Sequence, residues 1–292
     1  MKAAGVPKEI RFQTRHTLAL EMLDEQGHLL PHSWIAGDDE MGRTSHFRRD
    51  LNERGEQYLL AVPSNTAIRD LDATPPPYGG HGSDKKTPFV QAHVWRDAVG
   101  EDQWTRIKVR DAEKGPLEIE VVVCRVQTKI KRQMMDYEEM LVIVRCLDEN
   151  GVTKYDYYLS NAPNDTPREE FARVAVAAHR VEEAIKRGKS QAGLADYEVR
   201  NWRGWHHHQI LSLITTFFLT VETLRGKKMT PAMTVPQIRD GIAMVLHAAH
   251  PCHTPAAIAR NKARRLRRNE LARFYHYMAR KRLPPTRLNL KL

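Results

Sequence analysis

The feature that most limits the fold of this chain is a change of hydrophobic period along it. Between Trp104 and Ser160 apolar and polar residues alternate in RIKVR, LEIEVVVCRVQT, MLVIVRCLD and KYDYYLS. A period of two marks β-strands. GEDQ, KGPL and DENG supply turn residues beside those runs, so the block has antiparallel character. Upstream, SWIAG (33–37) and YLLAV (58–62) read as short buried strands, separated by a helical segment at 44–54. Strand, helix and strand in that order form an α/β unit with parallel pairing. Downstream of Thr166-Pro167 the spacing becomes helical over 168–190, 202–224, 235–247 and 255–282, with Pro167 at a first helical position behind a Thr cap. The expected fold class is therefore α/β, α+β overall, with a β-rich insertion and a helical C-terminal region.

Smaller signals complete the layout. Residues 17–26 predict a helix capped by Thr17 and stopped by Gly27. The stretch DATPPPYGGHGSDKKTP, 72–88, reads as a loop, and its glycines lack the spacing of a phosphate loop. The longest apolar run, Ile210 to Val221, is broken by Ser212, Thr215, Thr216 and Thr220. It is too short to span a bilayer and reads as a buried core helix. These boundaries divide the chain into 1–63, 64–162, 163–250 and 251–292.

Composition narrows the function classes. The formal net charge is +10, which favours a polyanionic partner, nucleic acid before membrane surface. The excess concentrates in the last helix, where Arg260, Arg264, Arg265, Arg267, Arg268 and Arg273 meet one acid, Glu270. Such a segment binds a phosphate backbone with strong salt dependence and little sequence readout. Three scattered cysteines without a CxxC pair exclude a zinc ribbon and a disulfide framework and fit a reducing cytosol. MKAAGVPKEIRF has no apolar core of a signal peptide.

Two acids stand where chemistry is usually placed. Asp38 follows the first predicted strand, the end at which an α/β sheet exposes functional side chains. Glu182 lies on a predicted helix beyond the β block, with Lys189 two turns further on the same face, about 10 Å away. Carboxylates held near each other suit two-metal phosphoryl transfer. By spacing alone, a solvated helix face is the commoner explanation of Glu182 and Lys189, and Asp39 and Glu40 beside Asp38 fit a plain acidic turn equally well. His206, His207 and His208 cannot share one ion, because adjacent residues on a helix point about 100° apart. Trp202 and Trp205, three apart, read as core packing.

The residues around Glu182 add a resemblance. HRVEEAIKRGKSQAGLADYEVRNWRGWHHHQILSLITTFFL, His179 to Leu219, resembles the Glu-bearing helix and following helix of DDE insertion-sequence transposases, in the branch with a β-strand insertion before the Glu. AGVPKEIRFQTRHTLALEML followed by WIAGDDEMG resembles that family's approach to its second catalytic Asp, here Asp38, four before Gly42. YLLAVP, YDYYLSNAP and MTVPQIR also resemble family segments. The resemblance implies a partial RNase H-like core: its second part in 1–63, the loop and β insertion in 64–162, the helical part carrying Glu182 in 163–250, and a basic helix or tail in 251–292. It implies Asp38 and Glu182 as catalytic and metal-binding residues, Mg²⁺ or Mn²⁺ as cofactor, and DNA contacts by Arg180, Lys189, Arg200 and His208, joined by Arg264, Arg265 and Arg268. It further implies transposon-end and target DNA as partners, a homo-oligomer in the active assembly, no membrane association and a bacterial, nucleoid-associated cytoplasmic location.

Two departures accompany it. The family's first catalytic Asp has no counterpart, since the only Asp before Asp38 is Asp24, on a predicted helix. Ala175 and Ala178 stand where relatives carry a Tyr and an Arg, and Arg180 is the nearest substitute for the phosphate contact. The expectation is a DNA transposase that is truncated and inactive as this chain alone. The alternative is a non-catalytic DNA-binding remnant, or an inhibitor of full-length transposase.

Overall fold

The computed structural model describes residues 4–77, 86–112, 115–130, 133–147, 152–198, 200–230, 233–249 and 255–280. The glycine cluster of the 72–88 loop, the DENG turn and Cys252 lie outside them. The chain divides into two compact units, Met1–Lys186 and Arg187–Leu292, each described by itself.

The first unit is built on one mixed sheet. The strands that organise it are β1 (Ile35–Gly37), β2 (Tyr58–Ala61), β3 (Ala67–Asp70), β4 (Val90–Gln91), β5 (Thr105–Ala112), β6 (Gly115–Gln127), β9 (Glu139–Leu147) and β10 (Thr153–Ser160). Their order is β1-β2-β10-β9-β6-β3-β4, with β5 paired to β6, and β7 (Lys129–Ile130) and β8 (Gln133–Met134) form a separate hairpin. Among the described residues, β1 and β2 pair in parallel and the other pairs are antiparallel. The expected α/β unit and the expected antiparallel block are thus both present, fused through β10 on β2 into one sheet. The architecture is α+β and consistent with an RNase H-like core.

Alternation explains how both faces are covered. On one face Leu59, Val121, Met140, Val142 and Val144 pack under Phe171, Ala172, Val174 and Ala175 of α5 (Arg168–Gln191). On the other, Tyr58 and Leu60 meet Leu20 of α1 (Arg15–Gln26) and Phe47 and Leu51 of α3 (Ser45–Glu53). Further along that second face, Leu141, Ile143, Tyr157 and Leu159 form a cluster with Val62, Ile68 and Ala92, the last on α4 (Ala92–Asp97). Neighbouring residues such as Leu59 and Leu60 therefore enter opposite cores. Strands covered on both faces read as nearly continuous apolar runs. Fully burying side chains of this size contributes about 1.5–3 kcal/mol each.

Local details shift some expectations. The first helix starts two residues earlier than predicted: Thr14, not Thr17, is the N-cap and accepts a hydrogen bond from the Thr17 N–H. SWIAG was expected to be buried, yet β1 is the sheet's terminal strand and only partly covered. Gly42 closes α2 (Asp39–Gly42) directly against β2, where an added Cβ would lie 1.9 Å from the Ala61 carbonyl oxygen.

The second unit holds the last turn of α5 and three helices, α6 (Trp202–Lys227), α7 (Val235–Ala249) and α8 (Pro255–Arg280). The expected core helix over 210–221 is corrected here. Ile210, Leu211, Leu213, Ile214 and Phe217 are each more than half exposed, whereas Ser212, Leu219 and Thr223 are buried. In that stripe the buried Thr223 hydroxyl donates to the Leu219 carbonyl one turn back, and the half-buried Thr216 hydroxyl donates to the Ser212 carbonyl, so both find partners in the helix's own backbone. Among the described residues, no helix is long and apolar enough to cross a membrane.

Candidate active site

Asp38 leaves the end of β1 in an extended conformation and caps α2, its carboxylate accepting from the Met41 N–H at 3.2 Å. The two acids beside it are tied elsewhere. Asp39 pairs with Arg43, one turn along, and Glu40 pairs with Arg15 of α1. Of the three, Asp38 is the one set by backbone geometry, since its cap position fixes both strand end and helix start.

Glu182 sits on α5, exposed, beside a cavity of about 490 Å³ that Asp38 also lines. The helix contributes Ala175, Ala178, Val181, Glu182 and Ile185, a stripe at helical spacing. From the sheet come Ala36, Ala61 and Tyr158. The cavity is hollow because Ala36, Ala61, Ala175 and Ala178 face it with single methyl groups. Lys154 and Asp156 of β10 and Arg15 of α1 line it as well. Lys154 Nζ lies 3.2 Å from Asp156 Oδ1. Burial, and then the charges of Asp156, Cys146 and Glu182, push the Tyr158 phenol up.

The two walls are joined by side chains that the sequence did not single out. Trp34, just before β1, donates from Nε1 to Glu170 Oε1 at 2.8 Å and meets Phe171 edge-on, ring centroids 5.8 Å apart. Those contacts pin the strand that ends at Asp38 to the first turn of the helix that carries Glu182. Beneath α2, Arg48 donates to the Gly42 carbonyl and pairs with Glu139 of β9 at 2.8 Å. Glu139 is fully buried and also accepts from the Tyr58 hydroxyl at 2.6 Å and from Thr128. Burial works against the Arg48 charge, but Glu139 outweighs it and holds the guanidinium above its ordinary pKa. Burial and the adjacent Glu139 push the Tyr58 hydroxyl up.

The other expected residues are distributed over α5 and the second unit. Arg180 is exposed on α5, and Lys189 is exposed in its last turn. Arg200 is exposed just before α6. His208 is half-buried on α6, donates from Nε2 to the Gly193 carbonyl at 2.7 Å and packs on Tyr197. His206 bonds the Trp202 carbonyl and lies against both Trp202 and Trp205, so this histidine–tryptophan cluster packs on itself. Arg264 and Arg268 are exposed on α8; Arg265 lies on the same helix, its side chain outside the described residues.

Sequence reading missed Lys154, Asp156 and Tyr158. The signal was available in KYDYYLS, whose alternation puts all three on one face. A tighter acidic group lies elsewhere in the unit. Among the described residues, one grouping has three ligand-type atoms all within 4.8 Å of one another: Asp70, Asp72 and Cys124.

Residues 1–116 match the family model described as DDE superfamily endonuclease. The matched stretch contains Asp38 and ends before Glu182. No curated protein matches the chain.

Proposed function

We propose that this chain is a DNA transposase of DDE insertion-sequence type, with Asp38 and Glu182 as metal-binding catalytic residues. The observation that carries the reading is that these two acids, distant in sequence, line one cavity. The family match over the part containing Asp38 supports it. The donor set fits Mg²⁺ or Mn²⁺: the side chains lining the cavity offer carboxylate oxygens and neither imidazole nor thiol, and hard oxygen ligands suit those ions. A divalent pair, when bound, activates the attacking oxygen and stabilises the leaving one in phosphodiester cleavage and strand transfer. Asp38 presents its carboxylate from a rigid strand end, and Glu182 approaches from α5. Arg180, Lys189 and Arg200, together with Arg264, Arg265 and Arg268, contact the backbones of transposon-end and target DNA. His208 acts through the turn at Gly193 that it holds. The active assembly is a homo-oligomer on two DNA ends.

The second reading, a non-catalytic DNA-binding remnant or an inhibitor that pairs with a complete transposase, is favoured by β1 standing last in the strand order among the described residues, where a strand of another chain could pair. Plasmid nicking and DNA binding by the chain extended upstream to carry the family's first Asp, measured in Mg²⁺ and in Mn²⁺, separate the two. The catalytic reading expects nicking that Glu182→Gln and Asp38→Asn abolish while DNA binding persists. Binding with no nicking in either ion overturns it and leaves the remnant.

A further inference from the structure

We infer that Arg48 is a positioning residue for Asp38, acting through α2, and that the β-rich insertion supplies the carboxylate that holds Arg48 in place. The functional consequence rests on the proposed metal-binding role of Asp38; the positioning itself does not.

α2 is a single turn, Asp39–Gly42, with Asp38 as its N-cap. A lone turn is unfavourable by itself, because it fixes several residues for few hydrogen bonds. The Asp38 carboxylate accepts from the Met41 N–H at 3.2 Å, and the Asp38 carbonyl accepts from the Gly42 N–H at 3.0 Å. Both bonds tie Asp38 to the far end of the turn. With a rise of about 1.5 Å per residue, that end is only about 6 Å along the axis. The aim of the carboxylate is therefore as fixed as Met41 and Gly42 are.

Arg48 fixes that end. Its side chain is 3% exposed, and Nη1 donates to the Gly42 carbonyl. Nε donates to Glu139 Oε1 at 2.8 Å, and Nη2 reaches Thr128 Oγ1 and Glu139 Oε2, each at 3.4 Å. A planar guanidinium that donates from all three nitrogens is locked in one orientation. Glu139 opens β9 and Thr128 follows β6, so both come from the β-rich insertion. Glu139 is fully buried and also accepts from the Tyr58 hydroxyl of β2 at 2.6 Å. Without that carboxylate, a buried guanidinium on the Gly42 carbonyl would be an uncompensated charge. An apolar pair would fill the same space with equal or better stability. What the ion pair adds is direction: a donor held rigidly under the turn that Asp38 caps.

Amide hydrogen exchange of the full chain, without metal, reads the positioning directly. Arg48→Lys keeps the charge and loses the fork. It should speed exchange of the Met41 and Gly42 amides about tenfold or more, while the amides of β6 and β9 keep their protection. Arg48→Met combined with Glu139→Gln leaves no unpaired buried charge and should give the same local rise, with melting temperature as the folding control. Faster exchange spread evenly over the core strands, or no change at α2, overturns the inference. Mn²⁺ binding by calorimetry, on the chain extended upstream, carries the test to the site. Both Arg48 variants should weaken it about tenfold, the scale for groups that orient a metal ligand, and Asp38→Asn should weaken it at least as much. If Asp38→Asn weakens Mn²⁺ binding and the Arg48 variants do not, Arg48 does not position the ligand and the metal reading stands. If Asp38→Asn binds Mn²⁺ like the wild type, the metal reading falls and with it the functional consequence drawn for Arg48.

Discussion

The first unit gathers carboxylates in two places, and the two are built differently. At the β3 end Asp70, Asp72 and Cys124 bring their ligand-type atoms within 4.8 Å of one another. Asp70 accepts from the backbone N–H groups of Asp72 and Ala73 and, at 2.7 Å, from the Trp95 indole. Asp72 pairs with Arg125. Burial opposes the Asp70 charge, but those donors outweigh it and hold the carboxyl below its usual range. Burial, and then the charge of Asp70, push the Cys124 thiol up, which disfavours the thiolate a metal needs. Under α5 the acids stand further apart around a cavity, Asp38 on one backbone N–H and Asp156 on one exposed lysine. Proximity alone would select the first group as a metal site. What separates them is whether the oxygens are already committed to the fold.

A buried acid in the same unit sets the upper limit of that contrast. Glu139 is fully enclosed with Arg48, Tyr58 and Thr128 as partners. Glu139→Gln should destabilise the fold by about 3–5 kcal/mol, because it leaves Arg48 charged without its counter-ion. Urea midpoints at constant slope measure this, and a loss below 1 kcal/mol would show that the cluster is wet. The next largest effect is expected at the β3 end. Asp70→Ala should cost about 1–3 kcal/mol through its unmatched donors and leave Mn²⁺ affinity unchanged. Since the folded carboxyl is held below its ordinary 3.8, the wild type's advantage is fully present above that pH and is lost as pH falls through the lowered value. A loss of Mn²⁺ binding in this variant would break the comparison.

Asp38→Asn should move stability by no more than about 0.5 kcal/mol, because Asn caps a helix as well as Asp. A large loss would place Asp38 among the structural acids. The smallest expected effect lies outside both groups. The Leu30 carbonyl and then Glu56 raise the pKa of His32 above 6.5. Its contribution is complete below 6.5 and fades as pH rises through the raised value. The melting difference between wild type and His32→Gln should accordingly shrink from pH 6 to pH 8; an unchanged difference would mean that the His32–Glu56 contact at 2.9 Å is not ionic in solution.

Much of this contrast was invisible in the one-dimensional pattern. Asp38 was legible because it follows a predicted strand and the residues around it resemble a family segment, and Glu182 because the residues around it resemble a known helix. Asp156 was not, since its place depends on β10 pairing with β2, and that partner choice leaves no mark in KYDYYLS. Trp34 read as an ordinary strand residue and Glu139 stood outside the predicted runs until their partners, Glu170 and Arg48, were brought beside them by the fold. The apolar segment 210–221 misled for a related reason. Hydrophobicity predicts that a helix wants cover, but Ser212, Leu219 and Thr223 face inward, with the Thr223 hydroxyl bonded to the helix's own backbone.

The sequence by itself determined the elements of this protein, their order and the basic surplus of its last helix, because period and charge are properties of neighbouring residues. The tertiary structure decided which acids share a cavity and which are used up in holding the fold. That outcome depends on strand register and on hydrogen-bond donors arriving from distant segments, and neither is written into the spacing of the acids themselves.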